Sequence, residues 1–232
     1  MEPSNRTARL AGALYLATAV VGPFSLIYVP GAVIVPGDAA ATAASLLAHE
    51  ALFRWGVVAD LFAGTTLILA VLLLYRLLRV VSGTLAAAMA VLYLVAVPVG
   101  LISTAHKLGA LAVLQRADLF SAFAESQREA LAMLLIQLGN PAVVVAELFW
   151  GLWLFPLGML VIRSGFLPKA LGVLLIVNGG AYVAMCLTSL VLPEYAATLG
   201  KVLFPALFGE LWIALWLAIK GIRVPAPEAR AS

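Results

Sequence analysis

The chain has 232 residues, of which 64% are apolar and 11% charged, with a formal net charge of +3. A soluble domain carries nearer one quarter charged residues, so this composition excludes an ordinary water-soluble fold. The small positive balance is not gathered on one face but sits at the ends of apolar runs, which excludes nucleic acid as a partner class.

Six apolar runs are long enough to cross a bilayer, which takes about 20 residues of helix. They cover approximately residues 10–28, 53–75, 84–105, 141–162, 170–192 and 202–219. Arg6 and Arg9 before the first run, with Ala17-Thr18-Ala19 inside it, resemble a signal peptide. The run continues to Tyr28, however, and is expected to be an uncleaved span. After Pro36-Gly37, Asp38 is placed to cap a helix running toward His49. Residues 117–132 mix Asp118, Glu125, Arg128 and Glu129 with Leu119, Phe120, Phe123 and Leu131. This pattern suits an amphipathic helix on the outer surface or an extension of the fourth span. Residues 225–232, which include Pro225 and Pro227, are expected to form a disordered tail following a single membrane domain of residues 1–224.

Basic residues set the orientation. With the N-terminus in the cytoplasm, Arg6, Arg9, Arg76, Arg79, Arg163, Lys169, Lys220, Arg223 and Arg230 lie on the cytoplasmic side. Arg54, Lys107, Arg116, Arg128 and Lys201 lie opposite, and both termini are then cytoplasmic.

A short phrase recurs in the even-numbered spans, each time headed by an acid: Asp60-Leu61-Phe62, Glu147-Leu148-Phe149 and Glu210-Leu211-Trp212. Arg76 follows Asp60 by sixteen residues and Arg163 follows Glu147 by sixteen, whereas the third copy is looser. The odd-numbered spans carry a weaker echo in Gly12-Ala13-Leu14-Tyr15, Ala90-Val91-Leu92-Tyr93 and Gly179-Gly180-Ala181-Tyr182. Together these predict an all-α bundle of six transmembrane helices arranged as three hairpins. A carboxylate within a span is costly, so the three acids are expected to face the interior.

Asp60, Glu147 and Glu210 are therefore candidates for a polar intramembrane site that takes a proton or a cation; the alternative is that each sets helix register beside a helix dipole or a lysine. Lys107 is a candidate partner for Asp60 or Glu147, and Asn178, near the middle of the fifth span, for an interhelical hydrogen bond or a ligand. His106 belongs with this polar set. No helical metal-ligand spacing joins it to His49 or the acids, so no metal is expected. The single cysteine, Cys186, reads as a buried apolar residue, and no phosphate-binding glycine loop or other cofactor motif is present. Gly151 and Gly158 in the fourth span, and Gly172 and Gly179 in the fifth, are each two turns apart and predict a close crossing of those helices. Pro98 and Pro156 are candidate kinks, and Trp150, Trp153, Trp212 and Trp216 candidate interface anchors.

The stretch Phe149–Val183, FWGLWLFPLGMLVIRSGFLPKALGVLLIVNGGAYV, with Arg9–Leu16 and Gly209–Arg223, resembles the bacterial membrane family known as domain of unknown function 4386. That resemblance implies a six-span integral membrane protein of a bacterial cell membrane and brings no functional residues with it. The expected function is a small transport or sensing module built on the carboxylate site. The alternatives are an intramembrane enzyme acting on a lipid-type substrate and a structural or accessory subunit. The lipid bilayer is the expected partner; a small-molecule or ion ligand and the oligomeric state are not specified.

Overall fold

A computed structural model describes residues 4–116 and 118–223. The expected tail at 225–232 lies outside them. The described residues are helical throughout, with no strand among them. In chain order they form α1 (Asn5–Pro23), a π-helical turn (Phe24–Tyr28), α2 (Val29–Val33), α3 (Ala39–Ala48), α4 (Glu50–Leu78), α5 (Gly83–Gln115) and α6 (Glu125–Leu152). There follow α7 (Leu154–Ser164), α8 (Lys169–Val191), α9 (Pro193–Leu203), a 3-10 turn (Phe204–Phe208) and α10 (Gly209–Ile219).

Among the described residues, six helical stretches are long and apolar enough to cross a membrane: Asn5–Val33, Glu50–Leu78, Gly83–Gln115, Glu125–Ser164, Lys169–Val191 and Pro193–Ile219. Most outrun the apolar runs of the sequence. A helix satisfies its own backbone, so it continues past the hydrocarbon boundary through polar residues such as Glu50, Arg54 and Glu125. The amphipathic residues from Glu125 onward are accordingly the first turns of α6 and continuous with the fourth span. Large apolar side chains face outward in numbers that water would penalise; Val20 is 73% exposed and Trp55 65%.

Prolines break three of the spans. Pro156 has no N–H to offer Leu152 O, and the ladder opens at Trp153 between α6 and α7. Pro205 sits in the 3-10 turn that separates α9 from α10. In the first span the π-helical turn follows Pro23 and precedes Pro30. Pro98 and Pro141 lie within unbroken helix.

The chain divides into two compact units. The first comprises Met1–Leu16, Thr66–Leu94 and Leu148–Ser232, as far as these are described. In it, α1 and α10 run antiparallel. Ala8, Ala11, Gly12 and Tyr15 make one buried stripe, and Ile213, Ala214 and Leu217 continue the stripe of α10 that begins at Glu210. The approach is close because Gly12 has no side chain: a Cβ there would lie 2.7 Å from Leu217 Cβ. Beyond the helix end, Arg9 Nη2 donates to Ile219 O at 2.8 Å and Ile222 N donates to Asn5 Oδ1 at 3.1 Å. Gly221, at φ 67°, reverses the chain there as helix C-termini often require. The crossing of α8 with α7 and the last turn of α6 is also close. A Cβ on Gly172 would lie 2.6 Å from Gly158 O, and one on Gly151 would lie 2.6 Å from Gly179 O. Gly165, at φ 71°, closes the turn between these two helices.

The second unit comprises Ala17–Thr65 and Val95–Glu147. Its core joins Val29, Val33, Leu46, Phe53, Leu111, Ala132 and Ile136. Asp38 caps α3 by accepting from Ala41 N at 2.8 Å.

Candidate functional site

The α1–α10 register brings Tyr15 level with Glu210. The first turn of α10 is seated on α8 because Gly209 carries no side chain; a Cβ there would lie 2.7 Å from Leu174 O and 3.0 Å from Asn178 Cβ. Three side chains therefore converge on one carboxylate. Tyr15 donates a hydrogen bond to Glu210 Oε1, Asn178 Nδ2 donates to Oε2 at 3.2 Å, and the Tyr182 side chain lies close to Glu210. Tyr15 and Asn178 are buried and Glu210 is partly so.

An aromatic wall backs the cluster. Trp153, 1% exposed at the break between α6 and α7, packs its ring 5.8 Å from that of Tyr15 and 5.3 Å from that of Tyr93. Trp153 is thus not an interface anchor, whereas Trp212, 56% exposed, faces outward. The physical reason is the open ladder at Pro156, where a large ring fills the space between α1 and α5 segments of the same unit.

A carboxylate among neutral donors and aromatic rings, with no ion pair to Glu210 among the described residues, is an arrangement that can accept a proton or bind a cation. Asn178 Oδ1 sharpens the point, being buried with no hydrogen-bond partner.

The second unit holds a different arrangement. Lys107 Nζ lies 2.7 Å from Asp60 Oδ2, with both side chains mostly enclosed, and Thr104 Oγ1 donates to the same oxygen at 3.5 Å. His106 Nδ1 lies 2.7 Å from Ile102 O on its own helix. Glu147 is partly buried, with no hydrogen-bond or ion-pair partner among the described residues. The structure thus joins Asn178 to Glu210 and Lys107 to Asp60. Among the described residues no group of three or more His, Cys, Asp or Glu side chains is placed to hold a metal. Tyr15, Tyr182, Tyr93 and Trp153 were not legible as site residues in the sequence, although the three tyrosines close the three copies of the odd-span echo.

The family described as Domain of unknown function (DUF4386) matches this chain over residues 10–221. A stretch of 74 residues, 32% of this chain, is 42% identical to a protein of Archaeoglobus fulgidus described as an uncharacterized protein, and covers 43% of that relative. The chain thus spans less than half the length of that relative. No solved structure matches it.

Proposed function

The chain belongs to the family Domain of unknown function (DUF4386), whose description names no activity, and from that premise we propose a small transport or sensing module of a bacterial cell membrane whose working part is the Glu210 site. The observation that carries this reading is the convergence of Tyr15, Tyr182 and Asn178 on one carboxylate inside the candidate span Pro193–Ile219. Burying a carboxylate against neutral donors is costly in hydrocarbon and is characteristic of proton and ion pathways. The interruption of the same span just before Glu210 fits a membrane-embedded binding site, where broken helices turn their ends toward a ligand.

In this reading Asp60 and Lys107 form a neutralised pair that fixes α4 against α5, and Glu147 is a further polar group of the second unit. Three hairpins with both termini in the cytoplasm complete the arrangement, supported by the distribution of arginine and lysine along the chain. The test is reconstitution into liposomes loaded with a pH-sensitive dye, under imposed proton or alkali-cation gradients. Wild-type protein is expected to carry a flux that Glu210→Gln abolishes while far-UV circular dichroism stays unchanged. Wild-type protein without flux, or Glu210→Gln with full flux, would overturn the transport reading.

A further inference from the structure

Among the described side chains of the first unit, one buried polar atom lacks a hydrogen bond. It is Asn178 Oδ1. Asn178 is 0% exposed, and its other end, Nδ2, donates to Glu210 Oε2. An amide oxygen enclosed without a donor costs about 1–3 kcal/mol, so its presence in mid-span needs a reason. The amide's ends are opposite in character, and a half-turn of the side chain exchanges donor for acceptor without disturbing the packing around it.

We propose that Glu210 is a proton-binding site and that Asn178 is its two-position partner. With Glu210 ionised, Nδ2 donates to the carboxylate, as observed. When a proton arrives from water at Oε2, the Nδ2–H···Oε2 bond breaks, the amide turns over, and the new carboxyl O–H donates to Oδ1. No other bond changes, and release of the proton reverses both steps. The inference rests on Glu210 as the ligand-binding group of the proposed function and names its ligand.

The surroundings select a proton over a metal ion or an organic cation. Both carboxylate oxygens already accept hydrogen bonds, from Tyr15 and from Asn178, and among the described residues no second acid stands beside them to complete the multi-oxygen shell that a hard metal ion takes. A proton also asks for no volume. That suits a site where Gly209 lies so close to α8 that a Cβ would sit 3.0 Å from Asn178 Cβ, and where Trp153 is packed on Tyr15 and Tyr93. The polar and titratable groups facing Glu210 are Tyr15 from α1, Tyr93 from α5, and Asn178 and Tyr182 from α8. No lysine, arginine, histidine or second acid faces it among the described residues.

The experiment is magic-angle-spinning NMR of full-length protein in lipid vesicles, with asparagine and glutamate labelled in carbon-13 and nitrogen-15, titrated with acid and separately with sodium and potassium at fixed pH. The expected result is that the Glu210 carboxyl carbon and the Asn178 side-chain signals shift together with one midpoint. Alkali salts should move neither. Glu210→Gln should lose the Asn178 shift, and Tyr15→Phe, which keeps the carboxylate and the amide, should retain it. A Glu210 carbon that does not titrate, an Asn178 amide that stays fixed while Glu210 titrates, or a shift driven by alkali cation at constant pH would each overturn the inference. The liposome assay separates the two claims. Flux abolished in Glu210→Gln with a silent Asn178 sinks the amide switch alone, whereas a coupled titration without flux upholds the proton site and sinks transport.

Discussion

Replacing Gly172 by alanine adds one methyl group at the close crossing of α7 and α8. That carbon would fall 2.6 Å from both Gly158 O and Ile162 Cγ1, roughly 0.8 Å inside ordinary van der Waals contact. Ile162 can change rotamer, but the Gly158 carbonyl is backbone, so α7 and α8 must move apart. Overpacking of this kind costs about 1–3 kcal/mol. The helix-propensity gain of alanine over glycine, about 0.5–1 kcal/mol in water, is muted here because the detergent-unfolded state of a membrane protein keeps much of its helix. A net loss of about 1–2 kcal/mol is therefore expected. Gly180, on the same helix, is the control, since a Cβ there meets nothing within 4 Å. Reversible unfolding in mixed micelles with increasing sodium dodecyl sulfate, followed by circular dichroism, should show Gly172→Ala clearly destabilised and Gly180→Ala at or slightly above wild type. Equal stability of the two variants would refute the glycine-mediated crossing.

Lys107→Met should cost about 2–3 kcal/mol in the same assay, because it strands a mostly enclosed Asp60 carboxylate with only the Thr104 contact. Adding Asp60→Asn should recover more than half of that loss; no recovery would mean that the pair is not coupled. Trp153→Ala should cost about 3–5 kcal/mol by leaving a cavity beside Tyr15 and Tyr93. Trp212→Ala, on the exposed face, should cost less than about 1 kcal/mol, as lipid fills the space.

The six spans were legible because hydropathy is a property of segments and needs no knowledge of neighbours. The glycine crossing was legible as well: its spacing of seven places both members of each pair on one face, and the short turn at Gly165 leaves the chain little choice of partner. Asn178 and Glu210 stood out as polar residues in apolar surroundings. Their union was not legible, because it depends on which face of α10 meets α8, and that is decided by Gly209. The tyrosines show the same limit. Tyr15, Tyr93 and Tyr182 marked an echo between spans, but sequence spacing cannot say that the α1–α10 register delivers the first of them to Glu210. Trp153 looked like an interface anchor because aromatic residues in membrane proteins so often are; the broken ladder at Pro156 puts it inside instead.

The proposed site depends on Glu210 being held by tyrosine and amide groups from other helices. A double-mutant cycle of Tyr15→Phe and Glu210→Gln, read by unfolding in mixed micelles, measures that directly. A hydrogen bond to an ionised carboxylate is worth about 1.5–3 kcal/mol, and a coupling energy of about that size is predicted. Additive effects, with coupling below about 0.5 kcal/mol, would contradict the site.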